Sequence, residues 1–306
     1  MKPFLTVYGH ACLDQIMTLE RFPETNTSVD ILEKHRYFGG TGANIATLAA
    51  ALGVPTALVS YVGSDLPEDF RENMASHGVD LSELVTVDGY ETSTVLIVTD
   101  GQQNQVAYVY QGPMRDMGSF DLLTGRASES KIVHVSTGRP EYYLRLMEKM
   151  RSLGKKIAFD PAQEVHHIWS AETFRRGIAM ADTFFCNANE LRTALRYMGA
   201  HRPEDLLANV GMLINTRGAK GSVMYTAEGT IAVRAASPER TIDPTGAGDA
   251  FRAGYYAGRY YGHRPEECLA YGNAAASFTL EAKGGVGMVP TWEMVEERAA
   301  PLLDGM

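Results

Sequence analysis

One short segment of the sequence, "DPTGAGDAF", joins a turn of small residues to a carboxylate at the start of an apolar run. Gly246, Ala247 and Gly248 are followed directly by Asp249. Small residues before a helix let backbone N–H groups converge on an anion, and the helix N-terminus adds partial positive charge. Beside such an anion hole a carboxylate fits the role of a base that takes the proton from an attacking hydroxyl. The segment predicts phosphoryl transfer, and its structural alternative is a plain helix start with an acidic first turn.

The elements that would position this segment alternate along the chain between short apolar runs and helical patterns. This alternation predicts a parallel sheet with helices on both faces. The predicted strands are "FLTVYG", "TALVSYVG", "KIVHVST", "KKIAFD", "TFFCNA" and "MLINT". The predicted helices are "GANIATLAAALG", "DLPEDFRENMASHG", "EYYLRLMEKMRSLG", "AETFRRGIAMA" and "NELRTALRYMG", the second of them with Asp65 as its N-cap.

Two segments of the N-terminal half interrupt the alternation. They are "SVDILEKHRYFGG" and "TSTVLIVTDGQQNQVAYVYQG", and the second has the Asp-Gly signal of a β-hairpin. We interpret both as a small β-sheet that projects from the main domain and covers the strand ends, where open α/β sheets bind ligands.

Composition excludes several classes of function. The formal net charge of −9 argues against nucleic acid as a partner. The three cysteines are far apart and form no CxxC motif, which favours a reducing, cytoplasmic location. No apolar run is long enough to span a membrane, and the N-terminus lacks the apolar core of a signal peptide.

Two motifs, about 200 residues apart, resemble the signatures of one enzyme family. "DPTGAGDAF" resembles the C-terminal signature of the ribokinase-like (PfkB) carbohydrate kinases, and "GGTGANIATLAAALG" resembles their first signature. The resemblance implies a three-layer α/β/α kinase domain over residues 1–306, with lid insertions at about 12–38 and 91–115. It also implies transfer of a phosphoryl group from ATP to an alcohol.

The resemblance assigns roles to particular residues. Asp249 matches the catalytic base, and Gly246, Ala247 and Gly248 match the anion hole. The expected substrate-binding residues are Asp14, Gly40, Thr41 and Asn44, and Gln163 is a speculative contact to a base. A carboxylate such as Asp14 suits the vicinal hydroxyls of a ribose.

The resemblance also implies an ATP site. "NANE" matches a motif that organises Mg²⁺ and phosphate, with Asn187 near ATP and Glu190 reaching Mg²⁺ through water. Alternatively, this motif is only a helix start with a capping pattern. The other expected ATP contacts are Thr216, Gly218, Gly221, Asn273 and Ala276. Asp243 and Thr245 match positions that hold a monovalent cation such as K⁺, although the later loop "KGGVGM" departs from the family pattern.

The sequence also bears on the phosphoryl acceptor. Thr41 stands where ribokinases commonly carry Lys, which weakens a ribokinase interpretation. "FPETNTSVDI", "HVSTGRPE", "FDPAQE" and "DPTGAGDAFRAG" instead resemble the archaeal and bacterial broad-specificity nucleoside kinases of the family. We therefore predict a nucleoside kinase that forms 5′-monophosphates, with Phe38, Tyr108, Tyr110 and Gln111 available to contact the base. For each aromatic residue the alternative is ordinary packing of the lid.

Two other functions stay open at this point. One is a sugar kinase of the same family, of ribokinase or fructokinase type. The other is a non-catalytic ligand-binding regulator, which the intact Asp249 and glycine turn disfavour. We further expect a homodimer formed through the lid strands, because exposed β-edges tend to be paired or covered.

Overall fold

A nine-stranded sheet lies at the centre of the structure, a computed structural model that describes residues 2–102 and 104–304. Its strands follow the order β13-β12-β11-β10-β9-β8-β1-β4-β5. They are β1 (Leu5–Tyr8), β4 (Thr56–Val62), β5 (Asp80–Thr86), β8 (Ile132–Val135), β9 (Lys156–Phe159), β10 (Thr183–Asn187), β11 (Met212–Thr216), β12 (Ser222–Thr226) and β13 (Gly229–Val233). All neighbours from β5 to β11 run parallel, and β12 and β13 form an antiparallel edge.

Helices cover both faces of this sheet, as the alternation predicts. They are α1 (Thr41–Ala51), α2 (Glu68–Ser76), α3 (Gly125–Glu129), α4 (Pro140–Ser152), α5 (Ala171–Ile178), α6 (Ala188–Met198), α7 (Ala247–Tyr260), α8 (Pro265–Thr279) and α9 (Trp292–Leu303). One apolar core joins α1, α2, α7, α8 and α9 to one face of the sheet, and a second core joins α4, α5 and α6 to the other. Within the described ranges, no helix is both long and apolar enough to cross a bilayer.

Glycines let α7, the helix that carries Asp249, pack closely on α8. A Cβ atom at Gly254 would lie 2.5 Å from the backbone oxygen of Tyr271, which is too close for any side chain. The backbones of the two helices are thus in contact, and this contact sets the position of α7 against α8.

The start of α2 differs from the sequence prediction. Pro67 occupies the N-cap position, and no side chain among the described residues caps the helix. Asp65 instead accepts a hydrogen bond of 2.6 Å from the backbone N–H of Thr92. The prediction of Asp65 as the N-cap was wrong because this acid is used to hold the chain where it enters the second sheet.

A separate four-stranded sheet, which we call the lid, has the order β3-β2-β6-β7 within the same described residues. Its strands are β2 (Cys12–Leu19), β3 (Ile31–Gly39), β6 (Thr94–Thr99) and β7 (Gln105–Tyr110). The hairpin predicted around Asp100-Gly101 is present as the antiparallel pair β6–β7.

The register of the lid separates Asp14 from Tyr108 and Tyr110. Asp14 lies opposite Val95, and Val95 lies opposite Val109, so these side chains share one face. Tyr108 and Tyr110 pair with Leu96 and Thr94 and therefore lie on the other face. The lid face that carries Asp14 is lined by aliphatic residues of β6 and β7.

Candidate active site

The first turn of α7 presents backbone amides at the carboxyl edge of the central sheet. Gly246 has a left-handed backbone with φ of 79°, and a Cβ atom there would lie 2.4 Å from the Cα atom of Gly285. Only glycine allows both this conformation and this contact. The amides of Gly248 and Asp249 have no intrahelical acceptor because they lie in the first turn of the helix. No side chain in the part of the chain described caps this helix end. The amide of Ala247 makes a long hydrogen bond of 3.3 Å to the carbonyl of Pro244.

Asp249 and Asn44, the central residues of the two sequence signatures, touch each other. Nδ2 of Asn44 donates a hydrogen bond of 2.8 Å to Oδ2 of Asp249. Both side chains are buried. Burial raises the pKa of Asp249 to about 7, even though the bond from Asn44 and the charge of Arg252 act in the opposite direction. The carboxyl group can thus gain and lose a proton near neutral pH.

Asn44 is held in place by a glycine loop that follows α8. A Cβ atom at Gly285 would lie 2.4 Å from Nδ2 of Asn44, so the loop backbone packs directly on the amide. Asp243 fixes the loop, since its two oxygens accept hydrogen bonds of 2.9 Å from the backbone N–H groups of Gly284 and Thr245. Asp243 therefore joins this loop to the segment that leads into α7.

A buried ion pair supports the first turn of α7. The guanidinium of Arg252 makes a two-point contact with Asp160, which includes a bond of 2.9 Å from Nη2 to Oδ1. Nη1 of Arg252 donates to the carbonyl of Gly248 at 3.0 Å. Burial alone would raise the pKa of Asp160, but the charge of Arg252 and the contacts of His134 outweigh it and lower the pKa to about 2. Arg252 thus braces the helix start rather than pointing into the cleft.

Asp14 lies at the base of the lid, close enough to Asp249 for their charges to interact. Burial raises the pKa of Asp14 to about 7, and the nearby charge of Asp243 adds to the rise. A Cβ atom at Gly39 would lie 2.1 Å from Oδ2 of Asp14, so only glycine fits at position 39 beside this carboxyl group. Gly40 follows with φ of 94° and packs against the backbone of residues 10–12.

Thr41 and Gln163 lie in different surroundings. The hydroxyl of Thr41 is 2.7 Å from that of Thr137, which follows β8. Gln163 is exposed, whereas its neighbour Glu164 is buried and faces the interior. Phe38 stacks on Phe70 with ring centroids 4.4 Å apart, so the packing alternative holds for this aromatic.

Asn187 and Glu190 form a capping box at the start of α6. Oδ1 of Asn187 accepts from the backbone N–H of Glu190 at 3.0 Å, and Oε2 of Glu190 accepts from that of Asn187 at 2.6 Å. Burial raises the pKa of Glu190 to about 7, although Arg252 opposes the rise. Oε1 of Glu190 also accepts a hydrogen bond of 2.7 Å from Nδ2 of Asn187. The structural alternative for "NANE" is therefore present, and both oxygens of Glu190 take part in it.

The residues expected around ATP gather at the antiparallel edge of the sheet. The turn after Thr216 contains Gly218 and Gly221 in left-handed conformations, and a Cβ atom at Gly221 would lie 2.1 Å from the carbonyl oxygen of Val233. Nδ2 of Asn273 donates to the same carbonyl at 3.2 Å. Ala276 lies one turn further along α8 and is partly buried against the core.

The charged groups fit a metal held mainly by its ligand and water. The described residues contain no cluster of three or more His, Cys, Asp or Glu side chains that could bind an ion alone. Mg²⁺ commonly keeps several waters and takes phosphate oxygens plus one or two carboxylates. Both oxygens of Glu190 already accept hydrogen bonds from Asn187, so this residue fits a contact to such a metal through water rather than directly. Asp160 is committed to Arg252.

Comparison with known proteins agrees with the fold and the site. Residues 2–292 match the family described as pfkB family carbohydrate kinase. The nucleoside kinase of Methanothermobacter thermautotrophicus is 33% identical over 97% of this chain and 96% of its own. The chain belongs to the PfkB family, and it is an ATP-dependent kinase.

Two solved structures are similar over nearly their full length. The nucleoside kinase of Methanocaldococcus jannaschii, an archaeal member of the ribokinase family, has a TM-score of 0.91 and 34% identity, covering 98% of this chain and 99% of that one. The nucleoside kinase of Burkholderia thailandensis in complex with inosine has a TM-score of 0.88 and 26% identity, covering 97% and 96%.

Several residues of the site carry weaker sequence signals. Asp160 and Glu164 both lie in "FDPAQE", directly after β9, where the carboxyl ends of parallel strands meet. His10 and Thr137 likewise follow the neighbouring strands β1 and β8. A rule that examines every polar residue within a few positions of a parallel strand's end would have found all four.

Proposed function

We propose that this kinase phosphorylates nucleosides, transferring the γ-phosphoryl group of ATP to the ribose 5′-hydroxyl. The observation that carries the chemistry is Asp249, a buried acid with a pKa of about 7 at the amide end of α7. The nucleoside as acceptor is supported by full-length similarity to two archaeal nucleoside kinases and to a bacterial one with bound inosine.

In the proposed reaction Asp249 accepts the proton of the 5′-hydroxyl while the 5′-oxygen of the nucleoside attacks the γ-phosphorus. A new O–P bond forms, and the bond between the γ-phosphorus and the bridging oxygen of ADP breaks. The amides of Gly246, Ala247 and Gly248 would hold the charge on the transferred group, and Arg252 keeps that turn in place through Gly248. Asn44 orients the carboxylate of Asp249, and Asp14 would accept hydrogen bonds from the ribose hydroxyls.

The remaining assignments complete the site. We assign the ATP site to Asn187, Thr216, Gly218, Gly221, Asn273 and Ala276, with Gly40, Thr41 and Gln163 toward the nucleoside. Mg²⁺, reached by Glu190 through water, would supply positive charge to the phosphates. Asp243 and Thr245 would lie beside a monovalent cation such as K⁺, a role supported by the position of Asp243 between the two loops.

The organisation of the protein is also part of the proposal. One kinase domain would carry the lid on insertions at about 12–38 and 91–115, and two lids would meet in a homodimer. Among the described residues, six of the ten exposed large apolar side chains lie on the lid, which supports this interface: Ile31, Leu32, Val106, Tyr108, Val109 and Tyr110. The three free, buried cysteines support a reducing, cytoplasmic location.

A phosphorylation assay with Mg·ATP tests the acceptor. The panel holds inosine, guanosine, adenosine, cytidine and uridine beside ribose, fructose and fructose 6-phosphate, with products identified by mass. We expect nucleoside 5′-monophosphates. Turnover of free sugars alone would refute the nucleoside assignment and retain the base, whereas binding of a ligand without turnover of any acceptor would favour a regulator.

A further inference from the structure

A continuous chain of hydrogen bonds leads from Thr41 to a buried glutamate. The hydroxyl of Thr41 is 2.7 Å from that of Thr137, which is 2.8 Å from Nδ1 of His10. Nε2 of His10 is 2.6 Å from Oε1 of Gln111, and Nε2 of Gln111 is 3.2 Å from Oε1 of Glu164. The chain thus has five side chains and ends on a carboxylate.

These side chains come from separate parts of the fold. His10 follows β1, Thr137 follows the adjacent strand β8, and Glu164 lies in a single turn of 3-10 helix after β9. Gln111 follows β7 of the lid, and its carbonyl accepts a bond of 2.6 Å from the hydroxyl of Ser93 at the start of the other hairpin strand. The chain of hydrogen bonds therefore connects the carboxyl ends of inner strands of the central sheet to the base of the lid.

The turn that carries Glu164 is built to aim this residue inward. Ala162 has φ of 48°, a left-handed conformation that costs a residue with a Cβ atom about 1 kcal/mol. Oε2 of Glu164 accepts a hydrogen bond of 2.5 Å from the backbone N–H of Gly138. Glu164 is buried at 4% exposure, while Gln163 beside it is exposed. The fold thus keeps Ala162 in an unfavourable conformation and also removes the Glu164 side chain from water.

The carboxylate sets the direction of every bond in the chain, because an ionised carboxylate only accepts. Gln111 must therefore donate through Nε2 and present Oε1 to His10. His10 then carries its hydrogen on Nε2 and offers the lone pair of Nδ1 to the hydroxyl hydrogen of Thr137. The oxygen of Thr137 is left to accept the hydrogen of Thr41.

A further contact agrees with this direction. The backbone N–H of His10 points at the hydroxyl oxygen of Thr137 at 3.4 Å. The oxygen of Thr137 can accept from this N–H and from Thr41 while its own hydrogen goes to the ring of His10. All the bonding capacity of this hydroxyl is then used.

We propose that Glu164, Gln111 and His10 are positioning residues that commit the hydrogen of Thr41 inward and leave its oxygen as an acceptor toward the substrate. This inference rests on the proposed function, in which Thr41 faces the sugar. The group bound by Thr41 must then be a donor, which selects a sugar hydroxyl over a carbonyl, an ether or a fluorine in the same place. Substrate choice is thus set in part by a carboxylate that does not touch the substrate.

The variant Glu164→Gln tests the direction of the chain. With Gly138 still donating to its oxygen, the new amide would donate to Gln111 and force that side chain to flip. His10 would then carry its hydrogen on Nδ1, and Thr41 would become a donor. Nitrogen NMR of ¹⁵N-histidine in the intact, ligand-free protein distinguishes the two tautomers, with the His10 signal assigned by its loss in His10→Gln.

The expected result is an Nε2–H tautomer in the native protein and an Nδ1–H tautomer in Glu164→Gln. Glu172→Gln, the same change at an exposed position, should leave the His10 signal unchanged. Should Glu164→Gln fail to fold, Gln111→Met interrupts the series of hydrogen bonds between Glu164 and His10 and should remove the Nε2–H preference. The same tautomer in the native protein and in the folded variant, or Nδ1–H in the native protein, would overturn the proposal.

Kinetics test the consequence for substrate choice. Native enzyme should lose at least about tenfold in kcat/KM when the ribose hydroxyl near Thr41 is replaced by fluorine, tested with 2′-fluoro and 3′-fluoro inosine. In Glu164→Gln we expect KM for inosine to rise about tenfold or more, with kcat changed less and the fluorine penalty reduced. An unchanged fluorine penalty would refute the role in selection. The tautomer measurement needs no turnover, so it stands even where the acceptor proves not to be a nucleoside.

Discussion

Asn44 and Asp249, which are 205 positions apart in the sequence, are joined by a hydrogen bond of 2.8 Å at the centre of the site. Asn44 lies in the first turn of α1, and Asp249 lies in the first turn of α7. The bond stabilises the ionised form of Asp249 against the effect of burial. It thus favours the charged carboxylate near neutral pH, which the proposed role of Asp249 as a base requires.

Asn44→Ala should raise the pH needed for activity. Loss of the hydrogen bond removes an interaction that lowers the pKa of Asp249, so the acid limb of the profile of kcat/KM against pH should move upward from about 7. We expect kcat to fall about tenfold to a hundredfold because the base also loses its orientation. Asn209→Ala, at an exposed position, is the matched control. An unshifted limb would show that another group controls this ionisation.

Asp14→Asn should move the same limb in the opposite direction. The charge of Asp14 raises the pKa of Asp249, so its removal should bring the acid limb to lower pH. The KM for the nucleoside should rise about tenfold to a hundredfold, since hydrogen bonds to a charged group are lost. Because the two acids interact, the native profile reports the pair. A rise of the limb after this substitution would contradict the electrostatic link between the two acids.

Asp249→Asn should greatly reduce turnover and make the fold more stable than that of the native protein at high pH. Loss of the base should reduce kcat by about 10²–10⁴. The folded pKa of about 7 lies above 3.8, the ordinary pKa of an aspartate, so the folded state binds the proton more tightly. The native protein therefore loses stability as pH rises from about 4 to 7, at up to about 1.4 kcal/mol per pH unit.

The difference in Tm between Asp249→Asn and the native protein should accordingly grow between pH 5 and pH 7 and level off above it. Thermal unfolding at a series of pH values measures this difference. Asp88→Asn, at an exposed position, should show no such trend. A constant difference across the range would mean that Asp249 is not protonated in the folded protein at pH 5.

The main sheet and the centre of the site could be predicted from the sequence because their signals are local. The turn before Asp249 is specified by adjacent small residues, and the strands alternate with helices at regular intervals. The pair Asp160–Arg252 could not be predicted, since the partners are 92 positions apart and each alone is compatible with a surface residue. The lid shows the same limit in another form: alternation puts Tyr108 and Tyr110 on one face, but only the strand register shows that Asp14 is on the other.

Arg252→Met should destabilise the protein by about 3–5 kcal/mol, because it leaves Asp160 charged and buried without its partner. The double variant Arg252→Met with Asp160→Leu should recover a large part of this loss, since no unpaired charge remains. Urea unfolding of the native protein, both single variants and the double variant gives the coupling energy between the two residues. Additive losses would show that the pair is not coupled. The kcat of Arg252→Met should fall as well, because Gly248 loses its brace.

Leu32→Lys should convert the proposed lid dimer into a monomer. Leu32 is 61% exposed on β3, an edge strand of the lid, next to Ile31, which is 49% exposed. In the variant the apolar contact of the leucine is lost, and dimerisation would also have to bury the charge of the lysine, which is unfavourable. Light scattering coupled to size exclusion gives the mass directly, and the native protein should have twice the mass of the 33.5 kDa chain. Leu153→Lys makes the same substitution at a residue 44% exposed outside the lid, and this control should remain dimeric. A native mass of one chain, or loss of the dimer in Leu153→Lys alone, would rule out assembly through the lid.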